Sequence, residues 1–283
     1  MNLEELQRHF EKVINEQNNQ GISDFEGYSP YEMTQILYST FEPESLIKLQ
    51  KLPDSDYQEI PILNQIKYIT GLLDNAGEIK LTNKGNFPPK IVSELYQQGF
   101  LKDEYIEKGI VKLYKETDSK TVNLTRILIE LAGLTKKRNG KLSLTKSSVK
   151  ILSDNYELLR LILLTFATKF NWAYYDGYGK NQIGQLGWGF SLILLSKYGK
   201  EKRLDSFYAE KYFKAYPKLL ESVETNYGTL ESNSTNCYSI RTFDRFLDYF
   251  GLIKIDKEGR GLSTKRYITK TDYFDRLIKC TPH

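Results

Sequence analysis

The first apolar positions of the chain follow helical spacing. Leu3, Leu6, Phe10, Val13 and Ile14 recur every three or four residues, and the polar run Asn18-Asn19-Gln20-Gly21 ends the pattern. An amphipathic helix packed on or near the rest is expected. A second helix start is written at Ser29-Pro30-Tyr31-Glu32, where Ser29 can cap, Pro30 suits the first turn and Glu32 completes a capping box. From Pro61 to Asn75, Ile62, Leu63, Ile66, Ile69, Leu72 and Leu73 form a helical stripe broken at Gly77. Ile79-Lys80-Leu81-Thr82 then alternates like a short strand, and helical spacing resumes over Lys90 to Gln98. A further helix is predicted over Asp103 to Tyr114, and a compact apolar one over Val122 to Ala132, stopped at Gly133.

The segment Leu134 to Thr145 reads as two short strands about Asn139-Gly140, the strongest short-range hairpin signal. Helix, strand, helix, further helix and hairpin is the order of a winged helix with one helix inserted. Tyr156 to Val223 reads as all-helical. The C-terminal part then repeats the earlier layout. A helix over Tyr238 to Phe250 stops at Gly251, and strands Leu252-Ile255 and Lys265-Thr269 flank a turn over Asp256 to Ser263. The expected fold is α+β, mainly α-helical, with two winged-helix-like units carrying short hairpin wings, joined by a helical region. Its divisions are an acidic helical segment over 1–58, a winged-helix-like domain over 59–152, and a helical region ending in a second such unit over 153–283.

Composition narrows the chemistry. A chain of 283 residues with 40% hydrophobic and 27% charged residues can bury a sizeable core. Cys237 and Cys280, each placed in or near a helical pattern, offer no disulfide framework or thiolate metal site. The two histidines, His9 and His283, leave little for a metal centre or a His-based triad. Neither metal nor cofactor is expected. The acidic start Met1-Asn2-Leu3-Glu4-Glu5 lacks a signal-peptide pattern, and no apolar run approaches a membrane span, so a bacterial cytoplasmic protein without membrane contact is expected.

The net charge of +4 is mild, but it is unevenly spread. Residues 1–60 hold twelve Asp and Glu against four Lys and Arg, a net of −8. Residues 118–150 hold eight basic residues against two acidic ones, a net of +6.

Four segments carry a family likeness: Gly27-Tyr28-Ser29-Pro30-Tyr31-Glu32-Met33, Leu81-Thr82-Asn83-Lys84-Gly85-Asn86-Phe87-Pro88, the aromatic run Phe170 to Tyr178, and Phe207-Tyr208-Ala209-Glu210-Lys211. From about Gly27 onward the chain resembles a family of uncharacterised bacterial proteins, members of which also occur fused to plasmid open-reading-frame-three-like or SEC-C-type modules. The resemblance implies a stand-alone version without the fused module, and implies no activity.

Two functions remain open. In the first, winged-helix (helix-turn-helix) units bind nucleic acid. Lys136, Lys137, Arg138 and Lys141 of the first wing then meet phosphates, with Arg126 on the helix before it and Arg241 and Arg245 on the corresponding C-terminal helix. Against base reading, Val122 to Ala132 offers only Asn123, Thr125, Arg126 and Glu130 as polar contacts. In the second, the units are protein-interaction or scaffold modules without nucleic-acid contact. A candidate aromatic pocket at Trp172, Tyr175, Asp176 and Trp188 stands beside its plainer reading as core packing. Enzymatic activity is not expected. Asp176, Asp205 and Glu210 have no spacing that acid-base chemistry demands, and no phosphate-cradling glycine loop is present.

Overall fold

The computed structural model describes residues 3–223, 228–259 and 264–282. The expected turn over Asp256 to Ser263 falls partly, and His283 wholly, outside them. The fold is α+β and mainly helical, with small antiparallel sheets. In chain order the elements are α1 (Leu3–Asn19), α2 (Pro30–Tyr38), β1 (Ile47–Leu49), α3 (Pro61–Ala76), β2 (Ile79–Lys80), α4 (Pro89–Gln97), α5 (Glu104–Glu107), α6 (Lys120–Leu131), β3 (Thr135–Arg138), β4 (Lys141–Leu144), α7 (Ser148–Leu152) and α8 (Asn155–Thr168). There follow α9 (Trp188–Tyr198), β5 (Arg203–Leu204), α10 (Asp205–Ala215), α11 (Leu230–Ser239), β6 (Ile253–Glu258), β7 (Lys265–Lys270), α12 (Asp272–Leu277) and β8 (Ile278–Cys280).

The chain divides into two compact units. One comprises residues 51–175 with 246–251; the other comprises 1–50, 176–245 and 252–283. In the first, the α3 stripe is realised. Ile62, Leu63, Ile66, Ile69 and Leu73 are buried, beside Val92 and Leu95 of α4, Leu128 and Ile129 of α6, and Leu158, Leu159 and Ile162 of α8. A ring cluster of Phe166, Trp172, Phe246 and Phe250 closes this core, with centroids 4.8–6.2 Å apart. The three-stranded sheet has the order β2-β4-β3.

The second unit is built around α9, where every residue from Trp188 to Leu195 is buried. Gly189 lets α2 approach: a Cβ there would lie 2.8 Å from the Ile36 carbonyl oxygen and 2.6 Å from Thr40 Oγ1. Its three-stranded sheet has the order β5-β7-β6, and a separate ladder joins β1 to β8 with Ile47 opposite Cys280. The capping box of α2 forms as read: Ser29 Oγ accepts from the Glu32 amide at 3.3 Å, and the Ser29 amide donates to Glu32 Oε2 at 2.8 Å.

Several expectations are corrected. The helix predicted over Asp103 to Tyr114 is only α5, because Gly109 adopts φ +69° and the Ile110 amide turns back to the Tyr105 carbonyl at 2.9 Å. The span from Tyr156 to Val223 is not wholly helical, since Arg203 and Leu204 pair with Ile268 and Tyr267. The helix read over Tyr238 to Phe250 starts earlier, as α11, and widens into π-helical winding over Ile240–Leu247. Cys280, placed near a helical pattern, lies in a strand.

Candidate functional site

The site is set by the way α6 ends. Gly133, at φ +70°, closes the helix, its amide donating to the Glu130 carbonyl at 3.0 Å and the next amide, of Leu134, to Ile129 at 3.0 Å. The chain then enters β3. Asn139 and Gly140 both take positive φ, 50° and 71°, so the hairpin turns in two residues with the type I′ twist that strands favour. This fixes Arg138 opposite Lys141, and β2 adds Lys80 opposite Lys141 and Ile79 opposite Leu142.

Strand alternation sorts the side chains. Ile79 and Leu142 are buried on the core face. Lys80, Lys141 and Arg138 therefore form one cationic row across the outer face of the sheet, with Lys136 and Ser143 forming the next rung. Lys141 pairs with Glu78; among the described residues no carboxylate pairs with Lys80, Lys136, Lys137 or Arg138. Lys137 alternates to the other side, its Nζ lying over Gly85, where a Cβ would meet it at 2.0 Å. Like charges directly opposite one another are unfavourable in a sheet. The row is thus a surface that an anion would stabilise.

The remaining expected cations are placed differently. Arg126 donates through Nε to Glu116 and through Nη1 to Glu130, both at 2.7 Å, and is 13% exposed. Burial alone would lower its pKa, but the hydrogen bonds and charge of these carboxylates outweigh that and raise it. Glu116 is fully buried and also accepts from the Phe87 amide at 2.5 Å and Asn123 Nδ2 at 2.6 Å. Asp103 receives Ser119 Oγ at 2.5 Å, so the segment between Asp103 and Ser119 is clamped at both ends against α6. Seven of the twelve α6 residues are buried, Asn123 and Thr125 among them. These two, expected as polar contacts of a reading helix, face inward.

Arg241 is a correction. Expected on a nucleic-acid face, it is 1% exposed and fully engaged. Nε and Nη2 grip the two Asp176 oxygens at 2.8 and 3.0 Å, and its other donors reach Asn181, Ile183 and Gly179. Arg245 reaches the same carboxylate at 3.4 Å. The residues of the candidate aromatic pocket have packing roles. Trp172 donates its indole N–H to the Phe166 carbonyl at 2.8 Å, and the Tyr175 hydroxyl donates to Asn123 Oδ1 at 2.6 Å. Burial pushes the Tyr175 phenol well up. Trp188 meets Phe41 edge-on at 5.5 Å, and Asp176 is occupied by Arg241.

The second three-stranded sheet differs in charge from the first. Lys202 pairs with Asp256 and Glu258, and Arg266 with Asp205 and Asp244. Sequence reading missed Lys80, although the Ile79-Lys80 alternation signalled it. Glu116 and Asp103 gave no signal, because an acid that will be buried looks like any other. Among the described residues no group of His, Cys, Asp and Glu is arranged to hold a metal ion, and no helix is long and apolar enough to cross a membrane.

Residues 58–157 match the model of one protein family, the Y4jL N-terminal domain. The matched span contains α3 through β4 and hence the whole cationic sheet. No curated protein and no solved structure matches the chain.

Proposed function

We propose that the protein binds nucleic acid through the outer face of the β2-β4-β3 sheet, by phosphate contact rather than base reading. The carrying observation is the row Lys80, Lys141, Arg138 with Lys136 beside it, of which only Lys141 has a carboxylate partner among the described residues. The topology supports a winged-helix reading of both sheets: α3, β2, α4, α6, β3, β4 with sheet order β2-β4-β3, and α9, β5, α10, α11, β6, β7 with order β5-β7-β6. In that reading α6 is the helix that would enter a major groove; its Asn123 and Thr125 are buried, and its Arg126 is held by Glu116 and Glu130. Wing-to-backbone contact is what remains accessible, and it carries no sequence information.

The test is duplex binding across a salt series, with Lys80, Lys136, Arg138 and Lys141 changed together to Ala. Each phosphate contact contributes about 0.9 to the slope of log affinity against log salt, so the variant is expected to flatten the slope by about three to four. Scrambling the duplex sequence should leave the affinity unchanged. The alternative, a protein-interaction module without nucleic-acid contact, predicts no binding even at low salt, and that result would sink the proposal.

A further inference from the structure

Between α10 and α11 the second unit leaves a cavity of about 800 Å³. Helix spacing explains its walls. Phe207, Glu210 and Phe213 stand three residues apart on α10, and Leu230 and Ser234 four apart on α11, so each set shares a face. Leu204 of β5, with Pro217 and Leu220 of the 3₁₀ segment Pro217–Ser222, extends the apolar wall. Ser234 and Thr235 of α11 are too small to fill the space. Leu230 is left 44% exposed at the first position of its helix. Small-molecule sites are mostly apolar clefts of roughly 300–1,000 Å³, and this cavity is of that kind.

The charge at the rim selects the ligand. Asp24, Glu210 and Glu231 border the cavity with a single cation, Lys214, and all four are exposed. Lys214 is taken by Glu210 at 2.8 Å, whereas Asp24 and Glu231 have no ion pair among the described residues. The hydroxyls of Ser206 and Thr235, likewise without a partner among the described residues, add acceptors. An anionic guest would meet two uncompensated carboxylates; a cationic guest completes two pairs. From the apolar wall and this rim we propose that the cavity binds a small organic amine, an aromatic or alkyl body carrying an ammonium group.

Because the rim carboxylates are in water, they set preference more than affinity, and the apolar wall supplies most of the binding. No residue of the cavity belongs to the β2-β4-β3 sheet, so the inference does not rest on nucleic-acid binding, and the outcome of either test leaves the other open.

Calorimetric titration of the full chain at low salt with naphthylethylamine, naphthylethanol and naphthylacetate, one apolar body with three head groups, tests it. The amine should bind tightest, by about tenfold over the alcohol, the scale of two exposed ion pairs, and the acid weakest. Asp24→Asn with Glu231→Gln should bring the amine down to the alcohol and leave the alcohol unchanged. Leu230→Ala should weaken all three probes alike, by about fivefold, through lost apolar contact. All three of these side chains are exposed, so the thermal transitions of the variants should match the wild type and show that the fold is intact. An acid bound as tightly as the amine, amine binding untouched by either variant, or no binding of any probe at millimolar concentration would overturn the proposal.

Discussion

Arg241→Ala is expected to destabilise the protein by about 3–5 kcal/mol, the scale for removing one partner of a buried ion pair. The guanidinium side chain is 0% exposed and the Asp176 carboxylate 3%, so neither has water to fall back on. Losing the arginine leaves Asp176 without its principal cation, with Arg245 at 3.4 Å as a poorer substitute. The carbonyls of Gly179, Asn181 and Ile183 lose a common donor as well. Arg241→Lys should recover only part of the loss, since one ammonium cannot span both Asp176 oxygens and three carbonyls. Urea titrations of the three proteins measure the order, and equal midpoints for wild type and Arg241→Ala would refute it.

The same pair fixes a pH dependence. Burial alone would raise the Asp176 pKa, but the hydrogen bonds and charge of Arg241 more than offset this and hold it below the usual carboxylate range. A carboxyl depressed in the folded state contributes stability that is complete above its unfolded value, about 3.9, and is lost as pH falls through the folded value. Wild-type urea midpoints should therefore drop below about pH 4 by a component that Arg241→Ala lacks.

How far these sites were readable follows from how local their causes are. The α2 capping box and the Asn139-Gly140 hairpin are decided within four residues, and both form as their sequences predict. The α3 stripe is equally plain, because five of its apolar positions share one face. By contrast, the β1–β8 ladder joins Ile47 to Cys280 across nearly the whole chain, and neither three-residue strand carries a pattern of its own. Arg241 was misassigned for a related reason. An arginine bound for a polar pocket and one bound for a phosphate are identical in sequence; the difference lies in the loop from Asp176 to Ile183, some sixty residues earlier. The cationic sheet was half legible: the hairpin cations were apparent from composition, whereas their alignment with Lys80 required the β2–β4 register.

Glu116 is the other residue whose loss should be severe, and its variants separate charge from shape. Oε1 accepts from Asn123 Nδ2 and Arg126 Nε, while Oε2 accepts from the Phe87 amide. Glu116→Ala strands all three donors in a buried site and is expected to cost about 3–5 kcal/mol. Glu116→Gln keeps the volume and can keep Oε1, but its new amide group would face the Phe87 N–H, donor against donor. A cost of about 1–3 kcal/mol is expected, with Arg126 retaining Glu130. Urea midpoints should thus rank wild type, Gln, Ala; an Ala variant as stable as the wild type would show that the buried carboxylate is not what holds the segment. The Ala variant also bears on the choice of contact surface. Glu116 helps fasten the Asp103–Ser119 segment to α6 through Asn123 and Arg126, so its loss loosens the cover on Asn123. If the wing alone meets the nucleic acid, duplex affinity in the folded Ala variant stays at the wild-type level and remains indifferent to sequence. A gain in affinity accompanied by sequence preference would instead mark α6 as a reading helix that the segment keeps closed.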